Sequence, residues 1–351
     1  MPSNMMFRLM IKTLLPTEIE EVYNLPAYKI RQIPFLNVIK NGFIGREAAR
    51  LLCRHNLWRY FHALPQFSAT RATIALTFDC DYEEDTHALA ELCELLAQER
   101  ILASFACVGN LVAKAPQEYQ LLLNYGHEIV NHSTSHPPHL TLNTEQRFDK
   151  LTETEVWEEM IQCQSIFEEV LGYSPQGFRT PHFMDSATIF KAAAKVGFQY
   201  VSSVPRDRSI LGMPYYVARE SVLGDFSYLT TNLNKSKCYP FLMIPLDCCP
   251  IHRGETFSSY HTIRDNFGTA TKMRGNHKRA ETVLTLWQTL LERSYETGIA
   301  CIYLDPVDIV HSPQNKQLLR TMIHVARNLG WTFATMAELS EIYAKKALTQ
   351  E

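Results

Sequence analysis

Two histidines four residues apart, His132 and His136 in the run NHSTSHPPHL, lie some fifty residues beyond an abrupt change in the chain. There the apolar stretch ATIALTF turns acidic as DCDYEED, with Asp79 and Asp81 flanking Cys80. Carboxylates and imidazoles are what a catalytic zinc site uses. Three protein groups hold the ion and a fourth position stays open to water or substrate. A buried strand running into carboxylates, followed by a close histidine pair, has the form of such a site.

Each piece also has an ordinary reading. Acidic pairs after strands solvate loops, and Asp85 or Thr86 would serve as a cap for the helix that follows. Two histidines in a Ser/Pro-rich segment are often solvated. On one helical turn, however, an i, i+4 pair turns both rings toward one ion. Arg179, before Thr-Pro at a strand end, would pair a surface carboxylate equally well. HEIVNH resembles the HExxH zinc-protease helix but is one residue too long, so His127 and His132 would not share a helix face. No GxGxxG, GxxxxGK[ST] or GxSxG occurs, which removes the usual dinucleotide, P-loop and serine-hydrolase readings.

The elements that would position these residues alternate along the chain. ATIALTF, ASFACVG, HEIVNHS, GFRTPHF, FQYVSS, YPFLMIPLD and IACIYLDP read as strands or strand ends. THALAELCELLAQER, APQEYQLLLNYG, SATIFKAAAKVG, AETVLTLWQTLLERSYETG and NKQLLRTMIHVARNLG read as helices, and WTFATMAELSEIYA as a strand with a helix. One long helix is expected over TEQRFDKLTETEVWEEMIQCQSIFEEVLG. Such alternation implies parallel βα units and a barrel-like α/β domain over about residues 71–346. Asp79, Asp81, His132, Arg179 and Asp305 then all fall at the C-terminal ends of strands, where barrels of this kind place their chemistry. Residues 1–70, broken by prolines at 16, 26, 34 and 65, read as a partly helical extension packed on that domain.

Composition narrows the classes. At 351 residues, 46% hydrophobic and 20% charged, the chain is an ordinary globular one. A net charge of −3 gives no electrostatic reason to expect a nucleic acid partner or an anionic membrane. The N-terminal apolar stretch is too short to span a bilayer and lacks a cleavage site. Nine cysteines form no CxxC pair, and several sit in apolar runs as small hydrophobes, so a cytoplasmic, reducing setting is expected.

In order and approximate spacing, TFDCDYE, HSTSH, RTPH and IYLDPVD resemble the motifs of the polysaccharide deacetylases, the NodB-homology domain of carbohydrate esterase family 4. The resemblance is nearest to the subgroup whose first motif is FDxDxE rather than FDDG. It covers roughly Ala72 to Ala344 and implies a distorted (β/α) barrel with a divalent ion, zinc above all, with cobalt, nickel or manganese as alternatives. It further implies that Asp79 is the general base and that Asp81, His132 and His136 are the metal ligands. Arg179 would orient the base, and the backbone N–H of His182 would face the oxyanion. The substrate implied is an N-acylated sugar or small amide. A carboxylate beside the ion can take the proton as water attacks, and an arginine held against it keeps it ionised.

The chain departs from the family pattern at the last motif. Asp305 stands where the family has a histidine that protonates the leaving amine. Three readings are open: Asp305 is the acid, His311 reaches back from six residues downstream, or the acid is missing. The alternatives to a sugar deacetylase are a hydrolase of a non-sugar amide or cyclic ureide, and a catalytically weakened metal- or glycan-binding protein. Asp247 and His252, in IPLDCCPIHRGETF, either line the cleft or cap a loop.

Overall fold

All nine residues of β1 (Ala72–Cys80) are buried, as an unbroken apolar run requires of a strand covered on both faces. The computed structural model describes residues 72–139, 142, 146–184, 186–203, 214–219, 235–250, 256–263, 280–295 and 297–348. The expected 1–70 extension and His252 lie outside these residues.

After β1 the chain runs through α1 (Glu83–Gln98), β2 (Ser104–Cys107), α2 (Gly109–Lys114), α3 (Pro116–Asn124), β3 (Glu128–Asn131), α4 (Glu153–Leu171), β4 (Gly177–Arg179), α5 (Ala187–Val196) and β5 (Tyr200–Ser203). It continues through β6 (Tyr215–Ala218), β7 (Cys238–Pro245), α6 (Ser259–Thr262), α7 (Ala280–Ser294), β8 (Ile299–Leu304), α8 (Pro306–Val310), α9 (Pro313–Asn328), β9 (Trp331–Ala334) and α10 (Met336–Leu348). The alternation expected from periodicity is present. The long helix starts later than expected, however, at Glu153. Thr152 caps it, accepting from Glu155 N, while Glu155 reaches back to Thr152 N at 2.7 Å. This capping box stops the helix from running back into Phe148–Lys150, which forms a separate turn.

The chain divides into two compact units. In the larger, Leu64–Pro214 with Phe241–Glu351, the strand order is β7-β5-β4-β3-β2-β1-β8. Every pairing there is parallel, and β9 pairs with the first half of β1. This is the (β/α) barrel topology, with the sheet left open between β7 and β8. Asp247 spans that opening: its N–H donates to Cys301 O at 2.7 Å, and its Oδ2 accepts from Cys301 N at 2.8 Å. Fully buried, Asp247 therefore joins two strands instead of lining a cleft or capping a loop. Of the smaller unit, Met1–Ala63 with Tyr215–Pro240, the described part is β6 with Arg219, and residues 235–240. There Arg219 N donates to Lys237 O at 2.9 Å.

At the N-terminal edge of the sheet a second buried acid organises the core. Glu128 accepts from Ser104 Oγ at 2.6 Å, Tyr200 OH at 2.5 Å and Ala337 N at 3.1 Å. It thereby ties β2, β3 and β5 to the start of α10. Gly177 allows this, because a Cβ there would lie 1.9 Å from the Tyr200 ring. The eight described cysteines are buried and form no disulfide. Among the described residues no helix is long and apolar enough to cross a membrane.

Candidate metal centre

His132 is the first residue beyond β3, and its N–H still donates to Cys107 O on β2 at 3.2 Å. The segment that follows is a loop, not the helical turn that the i, i+4 spacing suggests. Ser133 and His136 both take left-handed backbone conformations, with φ of 65° and 52°. Side chains replace the helical ladder. Asn131 Oδ1 accepts from Ser133 N and Ser133 Oγ accepts from His136 N, each at 3.0 Å. Glu159 of α4 takes Ser135 N at 2.8 Å and Ser135 Oγ at 2.7 Å, while its main-chain oxygen accepts from Thr134. Ser133 and Thr134 thus fix the loop. The roles of Asn131 and Glu159 were not legible in the sequence, since Glu159 lies 24 residues from Ser135 on another element.

That loop brings the expected trio together. Ligand atoms of Asp81, His132 and His136 all lie within 4.8 Å of one another. Nε2 of His132 is 3.2 Å from Asp81 Oδ1, and Nε2 of His136 is 3.6 Å from it. The proton of His132 sits on Nδ1, which donates to Arg179 O at 2.8 Å, and this leaves Nε2 as a lone-pair donor. Asp81 Oδ1 and His136 Nε2 are buried and make no hydrogen bond. Buried polar atoms of this kind cost roughly 1–3 kcal/mol each when nothing satisfies them. A divalent cation satisfies both, and one carboxylate with two imidazoles suits zinc as well as cobalt, nickel or manganese. The residues present fit such an ion.

Electrostatics agrees with that donor set at Asp81 and His136. Burial works to raise the Asp81 pKa, but the charges of His136 and His132 bring it well below the usual carboxylate range. Burial pushes His136 down to about 3, so its imidazole is neutral and able to ligate. For His132, burial pulls downward while the hydrogen bond and charge of Asp81 hold its pKa above the ordinary value.

Beside the trio lies a buried ion pair. Arg179 Nη1 donates to Asp79 Oδ1 at 2.9 Å, and Nη2 donates to Thr77 Oγ1 at 2.9 Å. Thr77 in turn donates to Ile302 O on β8. Arg179 is therefore no surface arginine; it is fully buried. Burial raises the Asp79 pKa, with Arg179 and then His132 pulling against it.

The remaining expected residues separate. His182 sits at the rim with its ring exposed, 4.6 Å between centroids from His136, and donates through Nε2 to Pro138 O at 2.7 Å. His182 and Phe183 both have positive φ, 50° and 54°, an uncommon conformation for residues with a side chain. Phe183 stands between the Arg179 guanidinium, 5.8 Å away, and the Tyr303 ring, 4.8 Å away. Asp305 is buried just after β8. Ser259 Oγ accepts from its N–H at 2.7 Å and donates to its Oδ2 at 3.2 Å. His311 is exposed at the far end of α8, about 9 Å along the helix from Asp305 at 1.5 Å per residue.

Residues 68–201 match the polysaccharide deacetylase family model. Over 112 residues the chain is 30% identical to a peptidoglycan-N-acetylglucosamine deacetylase of Bacillus cereus, covering 32% of this chain and 37% of that protein. Over 143 residues it is 26% identical to a chitooligosaccharide deacetylase of Bradyrhizobium sp., covering 40% and 60%. The chain thus spans less than two thirds of the length of these relatives. Among solved structures, one from Mycobacterium smegmatis described as a polysaccharide deacetylase aligns with a TM-score of 0.61 at 18% identity, over 81% of this chain and 94% of that one. The Puue allantoinase aligns with a TM-score of 0.59 at 13% identity, over 79% and 92%. At these identities the two structures speak for the shared fold alone. The stretch that matches this family model, residues 68–201, carries Asp79, Asp81, His132, His136 and Arg179.

Proposed function

We propose that this chain is a metal-dependent hydrolase that removes an N-acyl group, chiefly N-acetyl, from an amino sugar or glycan precursor. The observation that carries the reading is the Asp81–His132–His136 trio, a half-buried carboxylate with two buried imidazoles, whose unsatisfied ligand atoms lie next to the Asp79–Arg179 pair. A divalent ion bound by the trio supplies a Lewis acid for the acyl carbonyl and a lower pKa for water. Arg179 holds Asp79 through Oδ1, which leaves Oδ2 to accept the proton of the attacking water. The main-chain N–H of His182, at the rim beside His136, donates to the developing oxyanion. Asp305 delivers a proton to the leaving nitrogen. Its burial beside Ser259 supports this role, and the exposure of His311 beyond α8 speaks against His311.

The test is metal analysis of the purified protein with acetate release from N-acetylglucosamine oligomers, on the parent and on His132→Ala and Asp305→His. The reading expects one ion per chain that His132→Ala abolishes, together with acetate release that Asp305→His abolishes. A rise in turnover on Asp305→His would mean that the native acid is compromised and the chain a weakened member of its family. Ring opening of a cyclic ureide without acetate release would move the substrate class. A protein that binds no ion after reconstitution would overturn the reading altogether.

A further inference from the structure

We propose that Asp85 and His139 are positioning residues: they hold the peptide groups of Asp81 from two sides and tie the metal-ligand loop to the helix that begins after Asp305. This rests on the metal-site reading above. Asp85 is fully buried in the first turn of α1. Its Oδ2 accepts from Asp81 N and from Tyr82 N, both at 3.1 Å. Its Oδ1 accepts from Val307 N at 3.2 Å, two residues past Asp305 in α8. One carboxylate therefore spans from the loop after β1 to the first turn of α8.

On the other side stands His139, 4% exposed. Its Nδ1 accepts from Leu142 N at 3.1 Å, which places the proton on Nε2. That N–H donates to Asp81 O at 2.6 Å. The Tyr82 ring, 5.2 Å from the His139 ring, packs alongside. Both main-chain polar groups of Asp81 are thus fixed, and only its side-chain torsions remain to aim the carboxylate. The third histidine of HSTSHPPH serves the ligand as a carbonyl clamp, whereas His136 and His132 present nitrogens to the ion site. Partners of this kind set the orientation of a ligand before an ion arrives, and losing one costs metal affinity.

The test titrates Co2+ into the full-length chain in competition with a chromophoric chelator, and records the visible cobalt spectrum and the urea midpoint of the metal-free protein. Asp85→Asn keeps the side-chain volume but turns an N–H donor toward main-chain N–H groups. His139→Leu removes the clamp, while His139→Gln retains a donor. Asp85→Asn and His139→Leu are expected to weaken cobalt binding about 10- to 100-fold and to change the spectrum, with His139→Gln recovering much of the loss. Should Asp85→Asn fail to fold, the His139 pair decides alone. Unchanged affinity in His139→Leu, or no recovery in His139→Gln, overturns the proposal while leaving the metal reading intact. No cobalt binding by the parent chain overturns both.

Discussion

Each edge of the parallel sheet buries acid, and the two edges treat it differently. At the N-terminal edge Glu128 receives Ser104, Tyr200 and the main chain of Ala337. At the C-terminal edge, one strand length of about 13 Å away for four residues, Asp81 Oδ1 and His136 Nε2 remain without hydrogen bonds. A buried polar network that is fully partnered specifies a core. One whose remaining atoms converge from three directions is arranged for something other than the chain itself. Convergence, and not a missing partner by itself, separates the functional site from the foundation, since His127 Nε2 beside Glu128 is also buried without a hydrogen bond.

The largest test of that contrast falls on the functional edge. Arg179→Met leaves Asp79 as a buried charge with its cation gone, and should destabilise the fold by about 3–5 kcal/mol in urea unfolding. A loss below about 1 kcal/mol would mean that solvent reaches Asp79 and that the pair is not the buried device described.

Next comes a pH effect at the foundation. His127 is buried, its Nδ1 accepts from Ala103 N at 3.3 Å, and burial lowers its pKa from 6.5 to about 4. The unfolded chain therefore binds the additional proton first. Stability from this residue is complete above about pH 6.5 and declines toward pH 4, by up to about 3 kcal/mol at roughly 1.4 kcal/mol per unit. Urea midpoints of the parent and of His127→Leu, measured from pH 7.5 to 4.5, should differ in slope. Parallel slopes would remove His127 from the account.

The smallest effect is Tyr200→Phe, which deletes one donor to Glu128. It should cost about 1–2 kcal/mol and leave metal affinity unchanged. A matching fall in metal affinity would show that the two edges of the sheet are coupled.

Much of the site could be read from residue types. The strand-to-acid transition placed Asp79 and Asp81 at a strand end, and the closely spaced histidines do meet Asp81. Residue types left Arg179 as a possible surface pair; its place beside Asp79 was implied only by the family resemblance, and its complete burial by neither. The residues that shape the loop were not legible. Glu159, His139 and Asp85 act on main-chain atoms up to 222 positions away in the chain, and no local pattern encodes such a bond. The helical turn that would set both rings of the His132–His136 pair on one face is absent for a related reason. Spacing i, i+4 permits a shared helix face but does not impose a helix, and here Asn131 and Ser133 side chains bend the loop instead.

By itself the sequence determined the alternation of strands and helices, and with it the edge of the sheet on which the chemistry lies, because those follow from short apolar runs and from a period near 3.6 residues. It also determined which atom types could hold an ion. Only the tertiary structure decided which of several acids and histidines face one another. Only it showed that Asp247 closes the gap between β7 and β8, that Asp305 is buried, and that His311 points away from the core at the end of α8. Those assignments depend on contacts between elements far apart in the chain, whose geometry is set by packing and not by any neighbouring residue.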